Sequence, residues 1–232
     1  MKKLTFNKKS AALVLAGVML VGGVAGGTLA WLTDKSGTVE NTFHTSNIGV
    51  GLEETRRDYQ MIPGWTIEKD PVAYVETGSE DCYLFIKVEE SSEKITVGTE
   101  EHTFEDFLGY SIDSQWTELE KDKDGNDISG VYYMVIDADA KKGKEKKYHI
   151  LGEGSYTDTE GVEYSWGDDQ VLTKPEVTKE MMDAVTTNQP KLTFTAYAVQ
   201  LWKSNKPINM DDADAVENAK FTAAEAWAKV ES

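Results

Sequence analysis

The chain has 232 residues, a formal net charge of −17 and 10% aromatic residues, including six tryptophans and ten tyrosines. So negative a surface repels phosphate backbones and anionic lipid, so we expect no nucleic-acid partner; the aromatic content is too high for a disordered acidic tail. The length supports one sizeable core. The single cysteine, Cys82, excludes an internal disulfide and is expected to be a buried thiol.

Residues 1–30 are organised like an export signal. Four lysines precede an apolar core at 11–21, a glycine-rich stretch follows, and the small-residue pattern at 28–30 predicts a cut between Ala30 and Trp31. The apolar run continues through Leu32, so an uncleaved membrane anchor is the alternative. Both interpretations place the acidic body outside the cell. Removing those four positive charges from −17 leaves −21 on the remainder.

The first half of the body predicts short strands joined by turns. Residues 38–52 predict a strand, a turn and a second short strand, and residues 61–64 predict a turn around Pro63 and Gly64. Residues 66–75 and 81–89 predict two further strands. In the second of these, one face is apolar and the other begins aromatic and becomes charged.

The rest of the chain adds a few helices. We expect a short helix at 103–108, an extended segment at 111–119, a hairpin loop at 122–127 and a strand at 130–137. A basic loop at 141–147 and a helix at 178–185 follow. Residues 191–202 predict the strongest strand, placed centrally because both of its faces are apolar, and residues 211–230 predict a helical end.

This pattern predicts a mainly β fold, an antiparallel β-sandwich with a few inserted helices and a C-terminal helix. We divide the chain into the signal (1–30), an N-terminal segment holding a candidate donor strand and the first strand (31–52), and the sandwich domain (53–232).

No catalytic, cofactor or metal site emerges from the motifs. The three histidines, His44, His102 and His149, do not form a zinc-binding spacing. The loop at 122–127 starts like a calcium loop, but its glycine is Gly125 and its twelfth position is Tyr133, so it is not an EF-hand. The six tryptophans are scattered, which favours packing over a carbohydrate platform.

Several segments nevertheless resemble one family. They are the lysine-rich start, the Gly-Gly run, the A-W-L-T-D, N-T-F and I-G-V-G-L segments, the Pro63-Gly64 turn with Lys69, the strand at 83–88, the strand at 192–200 and the helix at 223–227. Together they resemble the TasA and camelysin family of Gram-positive bacteria, exported proteins with a signal peptide of the SipW type. Residues 95–175 have no counterpart in this likeness.

The resemblance implies a jelly-roll-like sandwich that assembles into extracellular biofilm fibres or a cell-surface coat. It implies a dedicated signal peptidase and a freed N-terminal segment that adds as a strand to the next subunit. The donor anchors would be Trp31, Leu32, Val39 and Phe43, although 31 and 32 cannot both point inward in a regular strand. Such a head-to-tail contact does not close, so it produces filaments.

Two other functions stay open. One is a camelysin-like surface metalloendopeptidase, which the lack of a zinc motif disfavours. The other is a monomeric cell-surface module that binds glycans or proteins through exposed aromatic side chains. In all three interpretations the protein is secreted and meets the membrane only through its signal.

Overall fold

The computed structural model describes residues 48–55, 60–137, 146–185, 189–203 and 209–231. The predicted cut between Ala30 and Trp31 lies outside the described residues. So do the other donor anchors, Leu32, Val39 and Phe43, the strand and turn predicted within 38–47, and residues 141–145 of the basic loop.

Sixteen strands and three α-helices are formed within the described residues. The strands are β1 (Val50–Glu53), β2 (Thr66–Glu68), β3 (Val72–Val75), β4 (Cys82–Glu90), β5 (Ile95–Val97), β6 (Glu100–His102), β7 (Leu108–Gly109), β8 (Ser111–Ile112), β9 (Thr117–Glu118), β10 (Val131–Ile136), β11 (Lys146–His149), β12 (Leu151–Gly152), β13 (Gly154–Thr157), β14 (Glu163–Trp166), β15 (Gln170–Thr173) and β16 (Leu192–Gln200). The helices are α1 (Lys179–Ala184), α2 (Ala213–Ala219) and α3 (Ala223–Val230), with a 3-10 turn at Phe104–Asp106.

Two antiparallel sheets form the sandwich. The outer sheet has the order β1-β3-β11, and the central sheet has the order β16-β4-β10-β9. Val50 and Val75 of the outer sheet share one buried cluster with Leu84, Ile86 and Phe194 of the central sheet. This arrangement confirms the predicted mainly β, antiparallel sandwich with few helices.

Helix α3 covers the second face of the central sheet. The ring of Trp227 lies 5.3 Å from that of Phe85 and 5.5 Å from that of Tyr197, and the Tyr83 hydroxyl donates to the Phe221 carbonyl at 2.7 Å. The aromatic half of the second face of β4 is therefore buried against the C-terminal helix, so this face of the central sheet is covered in part.

Four local predictions are confirmed. The turn at 61–64 closes with a hydrogen bond from the Trp65 amide to the Ile62 carbonyl, and Gly64 adopts a φ of 77°. The hairpin loop at 122–127 is closed by a bridge between Lys121 and Asp127. The strand predicted at 130–137 is β10, and the helix predicted at 178–185 is α1, whose amide at Met181 is capped by Thr178.

Two strand predictions are wrong. The stretch 66–75 is not one strand, because β2 pairs with β15 while β3 pairs with β1 and β11. Pro71 lacks an N–H for a continuous ladder, and the Lys69 amide bonds instead to the Asp169 carbonyl at 2.7 Å. The second error is the central placement of 191–202, since among the strands that the structure describes β16 lies at the edge of its sheet.

Three further segments are more broken than predicted. The helix expected at 103–108 is only a single 3-10 turn, and the extended segment at 111–119 is two short strands separated by a turn. The C-terminal helical region is two helices, since Lys220 has extended backbone and forms a bridge with Trp202. Tertiary pairing overrides the helical propensity there.

Candidate functional site

The receiving side of the predicted assembly contact would be the edge of a sheet, and β16 offers the longest edge among the described strands. It has nine residues and pairs, within the described residues, with β4 alone. An edge strand exposes a row of main-chain donors and acceptors on its unpaired side. The length and single pairing of β16 make it the candidate acceptor.

Hydrogen bonds at both ends of β16 show which residues face β4. The Lys191 carbonyl accepts from the Ser91 amide at 2.8 Å, and the Leu201 amide donates to the Asp81 carbonyl at 2.9 Å. Because main-chain groups alternate in direction along a strand, the odd-numbered residues bond to β4 and the even-numbered ones point away from it. The outward groups belong to Leu192, Phe194, Ala196, Ala198 and Gln200.

Burial divides this outward row into two halves. Leu192 and Phe194 are fully buried, whereas Ala198 and Gln200 are half-buried. An added strand could therefore first reach the C-terminal half of β16, which ends beside the bridge between Trp202 and Lys220.

Strand β1, at the edge of the outer sheet, lies next to β16. The Glu76 amide donates to the Gly49 carbonyl at 2.8 Å, so Val50 and Leu52 direct their main-chain groups away from β3. The edges of the two sheets thus meet on one side of the sandwich, without a ladder between them in the described part of the chain.

A buried ion pair holds this side together. Lys69 Nζ lies 2.6 Å from Glu54 Oε1, and both side chains are 0% exposed. Glu54 directly follows β1, and the Lys69 ammonium lies 5.6 Å from the centre of the Phe194 ring on β16. The Lys69 ammonium therefore contacts both the residue that follows β1 and an aromatic ring of β16. In the sequence, Lys69 stands out only through the family likeness, since no pattern around it indicates burial.

An acidic recess of about 260 Å³ opens next to this pair and is lined in part by Asp70, Asp168 and Asp169. Asp70 accepts from the Thr55 amide at 3.1 Å, and Asp169 Oδ2 lies 2.7 Å from His149 Nδ1. Burial raises the pKa of Asp169, and its contact with His149 only partly offsets this. Across the described ranges, no group of three or more His, Cys, Asp or Glu side chains is placed to hold a metal ion.

The single cysteine and the described histidines lie in different surroundings. Cys82 is buried in the core on β4, and His102 lies beside Asp106, with 3.7 Å between Nδ1 and Oδ2. His149 ends β11 and contacts Asp169, while His44 lies outside the described residues.

Comparisons with protein-family models, with curated proteins and with solved structures find no match for this chain. Within the described residues, no helix is both long enough and apolar enough to cross a membrane.

Proposed function

We propose that the protein is a secreted structural subunit that polymerises head to tail into extracellular fibres or a surface coat. After export, the segment from about Trp31 to Phe43 adds as a strand to the sandwich of the next subunit. The proposal includes the TasA-like family likeness and the jelly-roll-like arrangement that this likeness implies.

The observation that carries this proposal is the outer edge of β16. Ala198 and Gln200 present main-chain groups away from β4 and are only half-buried, so an extended chain can hydrogen-bond there. A donor from a neighbouring subunit makes a heterologous contact, and repetition of that contact gives a filament.

Electron microscopy of the chain beginning at Trp31 tests the proposal. We expect fibres from this chain and none from a variant that lacks residues 31–43. A chain that keeps residues 1–30 is the matched control, because its donor is still joined to the apolar signal.

Two results would contradict the proposal. One is a purified chain beginning at Trp31 that stays monomeric by size-exclusion chromatography over a range of salt and protein concentrations. The other is fibres that form unchanged after residues 31–43 are deleted, since these fibres would use another contact.

A further inference from the structure

A cleft of about 420 Å³ lies on the flank of the sandwich, and none of the residues that line it belongs to β16. Segment 108–112, the end of β4, strand β10 and the β13–β14 hairpin surround it. Its wall combines aromatic rings with polar and charged side chains. Its lining includes Tyr110, Tyr132, Tyr156, Trp166, Glu105 and Lys174. We call it the tyrosine cleft.

Two glycines allow the Trp166 indole to form one wall. A Cβ added at Gly154 would lie 2.4 Å from Trp166 Cζ2, and one added at Gly109 would lie 3.5 Å from Cη2. The indole is therefore packed closely against bare backbone at Gly154 and is only 7% exposed. Such packing fixes the ring before any ligand arrives, which lowers the entropic cost of binding.

The tyrosines of the cleft combine apolar rings with neutral hydroxyls. Tyr110 donates to Glu90 Oε1 at 2.9 Å, and Tyr156 donates to Glu176 Oε1 at 2.8 Å. Burial raises the pKa of Tyr110 and of Tyr132, and the bond to Glu176 raises the pKa of Tyr156. These hydroxyls therefore stay protonated at neutral pH, and the rings add no negative charge.

The charged groups of the cleft are of both signs. Glu90 and Glu105 are exposed acceptors, and the Lys174 ammonium lies 4.3 Å from the centre of the Tyr156 ring. The carboxylates disfavour an anionic ligand. Lys174 already occupies the ring face that an organic cation would use, and it repels such a cation. A ligand that suits this wall is neutral, offers hydroxyl donors and acceptors, and has an apolar face.

We propose that the tyrosine cleft binds a neutral saccharide. The apolar face of a sugar ring packs on the aromatic wall, its hydroxyls donate to Glu90 and Glu105, and Lys174 donates to a sugar oxygen. The proposal does not depend on fibre formation, because the cleft is built entirely from residues 90–174.

The test uses the chain beginning at Trp31. An array of neutral oligosaccharides of glucose, galactose, mannose and N-acetylglucosamine identifies the best ligand, and isothermal titration then measures its affinity. We expect Tyr156→Ala, which removes the ring that positions Lys174, and Glu105→Gln, which removes a carboxylate acceptor, each to weaken binding about tenfold.

Tyr164→Ala is the matched control. Tyr164 is paired directly with Tyr156 across the hairpin but does not line the cleft. We expect it to leave the affinity unchanged. Glu105 is an exposed side chain, so Glu105→Gln should leave the fold intact. Its affinity therefore still tests the proposal even if Tyr156→Ala unfolds the hairpin.

Three results would overturn the proposal. They are an array on which no neutral oligosaccharide binds, an affinity that neither Tyr156→Ala nor Glu105→Gln reduces, and an equal loss with Tyr164→Ala. Fibres that form normally in a protein without saccharide affinity would remove this inference and leave the proposed function standing.

Discussion

Lys69 and Glu54 form an ion pair 2.6 Å long, and neither side chain has any contact with solvent. Removing two charges from water costs several kcal/mol per ion, so the attraction between the two charges mainly offsets the cost of burying them. The pair lies where β1 and β16 meet, with the Lys69 ammonium over Phe194. Its role is therefore to fix how the two edge strands are joined rather than to add much net stability.

The first prediction concerns the loss of one charge of this pair. Lys69→Met removes the ammonium beside the buried Glu54 carboxylate and should lower the free energy of unfolding by about 3–5 kcal/mol. The double variant Lys69→Met, Glu54→Leu removes both charges and should regain most of that loss. Urea unfolding with linear extrapolation measures both values.

The control for this prediction is an exposed pair. Lys179 and Asp183 are 80% and 67% exposed at 2.6 Å, so Lys179→Met should change stability by less than about 1 kcal/mol. A double variant at 69 and 54 that is as unstable as Lys69→Met alone would show that burial of the charge is not the cause.

The second prediction compares two tryptophans. Trp227 is 2% exposed and packs on Phe85 and Tyr197, whereas Trp65 is 66% exposed. Trp227→Ala opens a cavity between α3 and the central sheet and should cost about 3–5 kcal/mol. Trp65→Ala should cost less than about 1 kcal/mol. Thermal or urea unfolding measures the loss of stability in each variant. Equal losses in the two variants would contradict the packing of α3 on the central sheet.

Strand β16 shows how far the sequence could predict the fold. The alternation from Leu192 to Gln200 predicted a strand with two apolar faces, and both faces are buried, one against the outer sheet and the other partly against α3. The apolar faces of a strand indicate that other layers pack above and below it. They carry no information about its lateral neighbours, so the central placement was wrong.

The sites were harder to predict than the fold. The tyrosine cleft brings Glu90, Tyr110 and Trp166 together from distant parts of the chain, and no spacing in the sequence links them. The burial of Lys69 could not be predicted from the sequence either, because lysine is almost always exposed unless it is paired. The donor anchors came from the family likeness, and Trp31 to Phe43 lie outside the described residues.

The third prediction concerns Asp169 and pH. Burial raises the pKa of Asp169 above the ordinary value of 3.8. Its contact with His149 only partly offsets this, and repulsion from Asp70 and Asp168 raises the pKa further. A carboxyl with a raised folded pKa is less readily ionised in the folded state. It therefore imposes no penalty below the ordinary value, and stability falls as the pH rises through the folded value.

Asp169→Asn removes this ionisation. Asparagine also tolerates the φ of 57° at this position. The stability of the variant relative to the parent should therefore improve as the pH rises from the ordinary value of 3.8 through the folded value, and urea unfolding across that range will measure it. A constant difference across the range would mean that Asp169 titrates alike in both states. Asp113→Asn, outside the recess, is the control.

The fourth prediction tests the acceptor edge. Ala198→Pro removes an N–H that points away from β4, so the sandwich should keep its ladder while an incoming strand loses a donor. We expect a folded protein that forms no fibres. Val199→Pro, which removes an N–H directed at β4, should instead destabilise the fold. Fibres from a folded Ala198→Pro variant at the parent rate would place the acceptor elsewhere.

The last prediction follows from charge. After removal of residues 1–30 each subunit carries −21, so two subunits repel each other before any strand can pair. Salt shortens the range of this repulsion to about 10 Å at 0.1 M, and divalent cations or lower pH reduce it further. Fibre growth, followed by light scattering, should therefore accelerate from low to moderate ionic strength. The addition step itself depends on main-chain hydrogen bonds and apolar anchors, so salt should not dissolve formed fibres. Growth that slows as salt is added would indicate instead that attraction between opposite charges drives assembly.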